Sequence, residues 1–199
     1  MIRTLITRAR AAAIAAVLAL SSLAVTTVTT VAPVAAPIAA TTVASIALLA
    51  PQTGNAQAFS DYAENKLADF IFRGQTFTAP STVYVGLSTA ACSDSSFGTE
   101  VSGGSYARVA VTSSLANWAG TQSAGSTTAS TGTGGQISNN NTITFPTPTA
   151  GWGTVVSWFL ADASTSGNEL ICAPLTTNKT INSGDAVSFA AGALTVTLQ

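Results

Sequence analysis

The side chains that could carry out chemistry in this sequence are few and widely spaced. Beyond the first predicted helix, the acidic residues are Asp94, Glu100, Asp162, Glu169 and Asp185. Glycoside hydrolysis needs two carboxylates that face each other across a substrate, and the spacing of these five indicates no such pair. The chain contains no histidine, which excludes Ser-His-Asp and Cys-His catalytic sites. We therefore predict a protein that is not an enzyme and has no catalytic residues.

The sequence predicts neither a metal ion nor a cofactor. Histidine, the most common metal ligand, is absent, and the two cysteines do not form a Cys-x-x-Cys motif of the zinc-binding type. A calcium ion could be held by a loop that contains Asp94 or Asp185 together with backbone oxygens, but no EF-hand-like run is present. No phosphate-binding loop or dinucleotide fingerprint occurs either.

The two cysteines, Cys92 and Cys172, lie 80 positions apart. In an oxidising compartment they could form a disulfide, which would close a long loop and contribute about 4 kcal/mol to stability. The alternative is that both are small buried side chains with free thiols. The sequence leaves these two alternatives open.

Charged residues make up only 8% of the chain, about a third of the ~25% found in an average soluble domain. Glu100 and Arg108 flank a glycine-rich turn, and we predict that they brace this turn by a salt bridge or by hydrogen bonds to its backbone. From residue 59 onward the only basic residues are Lys66, Arg73, Arg108 and Lys179. So few basic residues cannot form the positive surface that nucleic acids require, and we predict no nucleic-acid partner.

Two tryptophans are candidate interface residues. Trp152 lies between two glycines just before a predicted strand. It either caps the edge of the core or lies exposed at an interface, and we favour the core edge. Trp118 lies at the start of a polar segment, which makes it harder to explain as a core residue. It is therefore the better candidate for contact with a partner.

The chain divides at about residue 58. Residues 1–58 begin with Arg3, Arg8 and Arg10, continue with an apolar run from residue 11 to 25, and end in the small-x-small triplet Ala56-Gln57-Ala58. This order is typical of a secretory signal, although the segment is longer than the usual ~15–30 residues. Three interpretations compete: a signal peptide cleaved near Ala58, a signal anchor that crosses a membrane with residues 11–32, and an apolar arm used in assembly.

Residues 59–199 predict one mostly β domain, an antiparallel β-sandwich of about seven to eight strands preceded by one short amphipathic helix. Ser60 and Asp61 are good helix-starting residues, and the apolar stripe from Phe59 to Ile71 should pack on a sheet. Period-two alternation and turn residues then predict strands over 82–89, 106–112, 142–145, 154–161, 169–173, 186–190 and 194–198. The low-complexity segment 119–141 is predicted to be a loop, because it has only one large apolar residue.

The order of these segments resembles a known family. The helix SDYAENKLADFIFRG, the strand TVYVGLSTA, the run EVSGGSYARVAVT and the run ITFPTPTAGWGTVVSWFLAD occur in turn, followed by LTTNKTINSGDAVSFAAGALTVTLQ. In this order they resemble small tail-fibre-type structural proteins of tailed bacteriophages, over about residues 60–199. Residues 1–58 are not covered by the resemblance.

The resemblance implies a non-enzymatic component of a virion with a β-sandwich-like fold. It also implies self-association into an oligomer or lattice, contact with other virion proteins and, in a fibre, contact with a host surface receptor. Placement on the tail or on the head stays open, so a head decoration protein is one alternative. The other is a secreted or periplasmic bacterial surface or adhesion domain, released by cleavage near Ala58.

Overall fold

The computed structural model describes residues 46–49, 59–121 and 125–197. The chain divides into one unit from Met1 to Thr41 and a second from Thr42 to Gln199, and all described residues belong to the second. The apolar run 11–25, the proposed membrane-crossing segment 11–32 and the triplet 56–58 lie outside the described residues. Among the residues that are described, no helix is long and apolar enough to cross a membrane.

The prediction of a mostly β fold with one helix is confirmed. The helix α1 spans Asp61–Phe72. The strands are β1 (Ile46–Leu49), β2 (Thr82–Ser88), β3 (Val109–Thr112), β4 (Trp118–Ala119), β5 (Gln136–Asn139), β6 (Ile143–Thr144), β7 (Gly153–Ala161), β8 (Glu169–Ile181), β9 (Ala186–Phe189) and β10 (Thr195–Thr197).

The strands form three sheets that are arranged as an open sandwich rather than a closed barrel. The largest sheet has the order β3-β2-β7-β8, and the two smaller sheets have the orders β1-β9-β6 and β10-β5-β4. Among the described strand pairs, β1 with β9 is parallel and the others are antiparallel. The core contains side chains from all three sheets, including Trp158 of β7, Phe189 of β9 and Val196 of β10.

Strand β7 is buried on both of its faces. Trp158 faces the main core, where its ring lies 6.2 Å from that of Phe189. Phe159 is also fully buried, and its ring lies 4.6 Å from that of Phe97 in the loop after β2. Its register partner on β2 is Gly86, where a Cβ atom would overlap the Phe159 ring. A glycine is therefore required at this position so that the ring can lie across β2.

The helix packs on the sheet through only part of its apolar stripe. The Ser60 side chain caps α1 by accepting a hydrogen bond from the backbone N–H of Ala63, which is buried. Phe70, Ile71 and Phe72, however, are 53%, 57% and 83% exposed. The expectation that the whole stripe packs on a sheet is wrong at this end. The chain is anchored on β8 at the start of the helix, where the backbone N–H of Ser60 donates to Leu170.

The described residues form more strands than the seven to eight expected, because some strands form in segments without a clear local signal. Strand β5 lies within 119–141, which was expected to be a loop, and it pairs with both β4 and β10. Its Asn139 is buried, and the side chain bonds the backbone of Ala190 and Leu194. Strand β3 begins three residues later than expected, because the turn before it extends to Ser105, whose φ is 63°.

Candidate functional site

A disulfide joins Cys92 and Cys172, and their Cα atoms are 6.2 Å apart. Cys92 lies in the loop after β2, and Cys172 lies within β8, opposite Phe159 of β7. The bond therefore holds the loop against the central sheet, on the side where Phe97 covers Phe159. Neither cysteine is available as a nucleophile or as a metal ligand in this state.

Glu100 and Arg108 form a two-pronged ion pair at the same side of the sheet. Arg108 Nε and Nη2 donate to the two carboxylate oxygens of Glu100, each at 2.7 Å. Arg108 Nη1 donates to the carbonyls of Ala163 and Ser166, both at 2.8 Å. The guanidinium also lies 5.0 Å from the centre of the Phe159 ring. The pair thus fastens the loop before β3 to the turn between β7 and β8. The prediction had named only the glycine-rich turn between Glu100 and Arg108 as the segment that they brace.

Tyr106 extends this network into the core. Its hydroxyl donates to Glu100 at 3.1 Å and accepts the backbone N–H of Leu87 at 2.9 Å. Burial raises the pKa of Tyr106 well above its ordinary value, so the hydroxyl stays protonated and keeps donating. These contacts make the network a fixed structural feature. Its groups form hydrogen bonds within the chain, which suits bracing.

Trp152 lies at the edge of the core, 5% exposed. Its indole N–H donates to the carbonyl of Gly104 at 3.0 Å, and its ring contacts that of Tyr106 edge-on at 5.3 Å. Gly104 needs to be small, since a Cβ there would come within 3.0 Å of the Trp152 indole nitrogen. The burial of Trp152 favours the core-edge alternative over an exposed interface residue.

Trp118 lines an apolar cleft of about 630 Å³ beside α1. The cleft lies among Leu67 of α1, Phe77 after it, Leu115 before β4 and Ile137 of β5. None of the described residues that line it is charged, and its polar lining side chains are serines. Leu115 and Ile137 are 52% and 36% exposed, so the cleft has an apolar rim. Such a surface can bind apolar groups.

The acidic residues are mostly used in local turns. Asp162 accepts hydrogen bonds from the backbone N–H and the side chain of Asn168, both at 2.7 Å. Asp185 is buried and accepts the backbone N–H of Asn182 at 2.7 Å. Among the described residues, no three histidine, cysteine or acidic side chains come together as metal ligands would.

Glu169 is the acidic residue with an unusual environment. It is 7% exposed, and neither carboxylate oxygen has a hydrogen-bond partner among the described residues. It lines a cavity of about 280 Å³ together with Asp61 and Asp94. Burial, and then the negative charge of Asp94, raise the pKa of Glu169 from 4.5 to about 7. The spacing of Asp94 and Glu169 in the sequence did not indicate that they share a cavity, because loop and strand meet only in the folded chain.

The raised pKa of Glu169 predicts that the stability of the fold decreases as the pH rises. Because the folded-state pKa is raised, the folded chain holds a proton that the unfolded chain releases above about pH 4.5. The Glu169 contribution is full below that pH and is lost as the pH rises through about 7. The loss corresponds to about 3 kcal/mol. In urea unfolding from pH 4.5 to 8, Glu169→Gln should therefore gain stability relative to the unmodified chain as the pH rises.

Glu64→Gln is the matched control, since Glu64 is an exposed residue of the neighbouring helix. It makes the same change of side chain outside the cavity that Glu169 lines. A Glu169→Gln curve parallel to that of the unmodified chain would contradict the raised pKa.

The fold and these sites define a small β-sandwich module that is fastened by a disulfide and by the Glu100–Arg108 ion pair and that has an apolar cleft beside α1. Residues 58–197 match the family described as podophage GP4 fiber I protein gp80. Because this match spans more than half of the chain, the chain belongs to that phage fibre family. The resemblance to tail-fibre-type proteins is thereby confirmed. No curated protein matches the chain.

Sequence reasoning identified Trp118 but not the cleft around it. The other lining residues come from α1 and its flanking segments, from the loop before β4 and from strands β2, β5, β7, β8 and β10, and these segments meet only in the folded chain. One signal in the sequence was Ile137, the single large apolar residue of a polar segment. An isolated apolar residue in such a segment indicates that the segment packs against something.

Proposed function

We propose that this chain is a non-enzymatic structural component of a phage fibre and acts by burying its apolar cleft against a neighbouring copy. The observation that carries this proposal is the cleft itself. Its lining side chains are apolar or serine, and its rim residues Leu115 and Ile137 remain exposed in the isolated chain. Apolar surface of this kind on a soluble module is typical of a contact site.

Burial of this cleft would require no desolvation of charge. None of its described lining residues is charged, so burial would take no ion out of water, and the burial of its apolar side chains is favourable. A fibre presents many copies, and repeated weak contacts between them add to a strong association. The role in assembly thus rests on the chemistry of the cleft and on the fibre family.

The test is a charge placed on the rim of the cleft. Leu115→Asp introduces a carboxylate at a position that is 52% exposed, so the fold should tolerate it. In sedimentation velocity, the unmodified chain should form oligomers, and Leu115→Asp should shift the distribution to the monomer. The apparent Kd should rise at least about tenfold, because a buried charge costs more than 1.4 kcal/mol.

The matched control is Thr177→Asp, which adds the same charge at an exposed position of β8 outside the cleft lining. It should leave the oligomers unchanged. A monomeric unmodified chain, or equal effects of the two substitutions, would overturn the proposed contact. Immunogold labelling of purified particles would then locate the protein, with labelled fibres expected and labelled heads pointing to a decoration protein.

A secreted bacterial surface or adhesion domain is the second candidate, and the disulfide between Cys92 and Cys172 is compatible with it as well as with the fibre. Disulfides persist in secreted proteins and on surfaces, including those of virions. The two candidates differ in where the protein is found. Detection in the periplasm or medium of cells that make no particles would favour the adhesion domain, and detection only in particles would favour the fibre.

A further inference from the structure

Strand β1 completes the edge of a sheet. It pairs in parallel with β9 over four residues, from Ile46 opposite Ala186 to Leu49 opposite Phe189. The Leu49 side chain is 1% exposed and belongs to the same hydrophobic core as Val187 and Phe189. The strand therefore contributes a hydrogen-bonded edge strand to the sheet and a side chain to the hydrophobic core of the domain.

This strand lies in the part of the sequence that was interpreted as a leader. It precedes the triplet 56–58, and the family match begins only at residue 58. The matched region thus contains β9 but not the strand that pairs with one of its two edges. Removal of residues 1–58 would expose the unpaired N–H and C=O groups of this edge and empty the position of Leu49. Open edges of this kind take up further strands.

We propose that the β9 edge is a strand-binding site, and that its ligand is the segment Ile46–Leu49 of the same chain. The site accepts an extended apolar segment in parallel orientation, with an aliphatic side chain at the position of Leu49. Binding does not depend on the covalent link through residues 50–58. A cut after Ala58 therefore leaves the N-terminal fragment bound, and this holds whether or not the chain is part of a fibre.

The first test cuts the folded full-length chain between β1 and α1. A protease recognition sequence replaces residues 52–57, the chain is folded, and it is then cleaved and passed through a gel-filtration column. The N-terminal fragment should co-elute with the remainder of the chain. Leu49→Asp should release the fragment at least about tenfold faster, because a charge cannot occupy the buried position.

Leu49→Ile is the matched control, since it keeps an aliphatic side chain at the same buried position. If the fragment is held by strand pairing, Leu49→Ile should retain it. Release of the fragment from the unsubstituted chain, or equal release by the two substitutions, would overturn the proposal.

A cross-link tests which chain supplies the strand, and it keeps Leu49 unchanged in case Leu49→Asp fails to fold. Ile46→Cys and Ala186→Cys are combined in one chain, because these positions are register partners. Oxidation should give a monomer with an additional internal disulfide, detected by peptide mapping. Covalent dimers in place of that monomer would show that the strand comes from a second copy, and the absence of any cross-link would refute the pairing.

Discussion

Reduction of the disulfide between Cys92 and Cys172 should lower the free energy of unfolding by about 4 kcal/mol. The two residues are 80 positions apart, so the bond closes a long loop and removes many conformations from the unfolded chain. The measurement is urea unfolding of the full-length chain with and without reductant. The midpoint should move to lower urea concentration, and the oxidised chain should have the shallower dependence on urea, because its unfolded state is more compact.

The control is the double variant Cys92→Ala with Cys172→Ala. It should unfold near the midpoint of the reduced chain, and added reductant should not change that midpoint. Equal midpoints for the oxidised and reduced chains would contradict a stabilising role for this bond. The result also bears on location, because a protein that depends on this bond must fold in an oxidising compartment.

Arg108→Met should destabilise the fold by about 3–5 kcal/mol. The Arg108 side chain is only 2% exposed, and it satisfies the Glu100 carboxylate together with the carbonyls of Ala163 and Ser166. Methionine keeps much of the apolar stem but removes the donors to both carbonyls, and Glu100, which is 29% exposed, keeps only the hydrogen bond from Tyr106. Thermal and urea unfolding should both show the loss.

Arg108→Lys distinguishes the contribution of the positive charge from that of the forked hydrogen-bond geometry of the guanidinium. Lysine keeps the positive charge but cannot donate in the forked pattern that holds Glu100 and two carbonyls at once. It should therefore recover only a small part of the stability lost in Arg108→Met. A change below about 1 kcal/mol in Arg108→Met, or full recovery by lysine, would contradict the bracing role, since surface ion pairs contribute at that level.

A module fastened in this way suits the proposed role, because a contact surface that is repeated in many copies would have to keep its shape. The disulfide and the Arg108 network both hold segments to the central sheet at the side where Phe97 covers Phe159. The apolar cleft involves a different set of residues, around Trp118 and α1. Substitutions in the brace should therefore change stability, whereas Leu115→Asp should change association.

Much of the architecture was predictable from local patterns. The Ser60 cap and the helix after it, the alternation over β2 and the turn before β9 depend on residues close in sequence. Local rules apply there because backbone propensity and side-chain alternation act within a few residues. Composition alone was also informative, because the lack of histidine excludes histidine-dependent catalytic sites and the few basic residues argue against a nucleic-acid partner.

Only the tertiary structure decided the features that join distant segments. Strand β5 forms in a polar, low-complexity stretch because β4 and β10 pair with it, and β1 forms because β9 offers an edge. Likewise Glu169 acquires its raised pKa from burial beside Asp94, and Trp118 acquires its cleft from α1 and β5. The sequence by itself determined the β class, the helix and the family resemblance, since those signals are local and ordered along the chain. Strand pairing, burial and the cleft depend on contacts between residues far apart in sequence, and no local pattern specifies them.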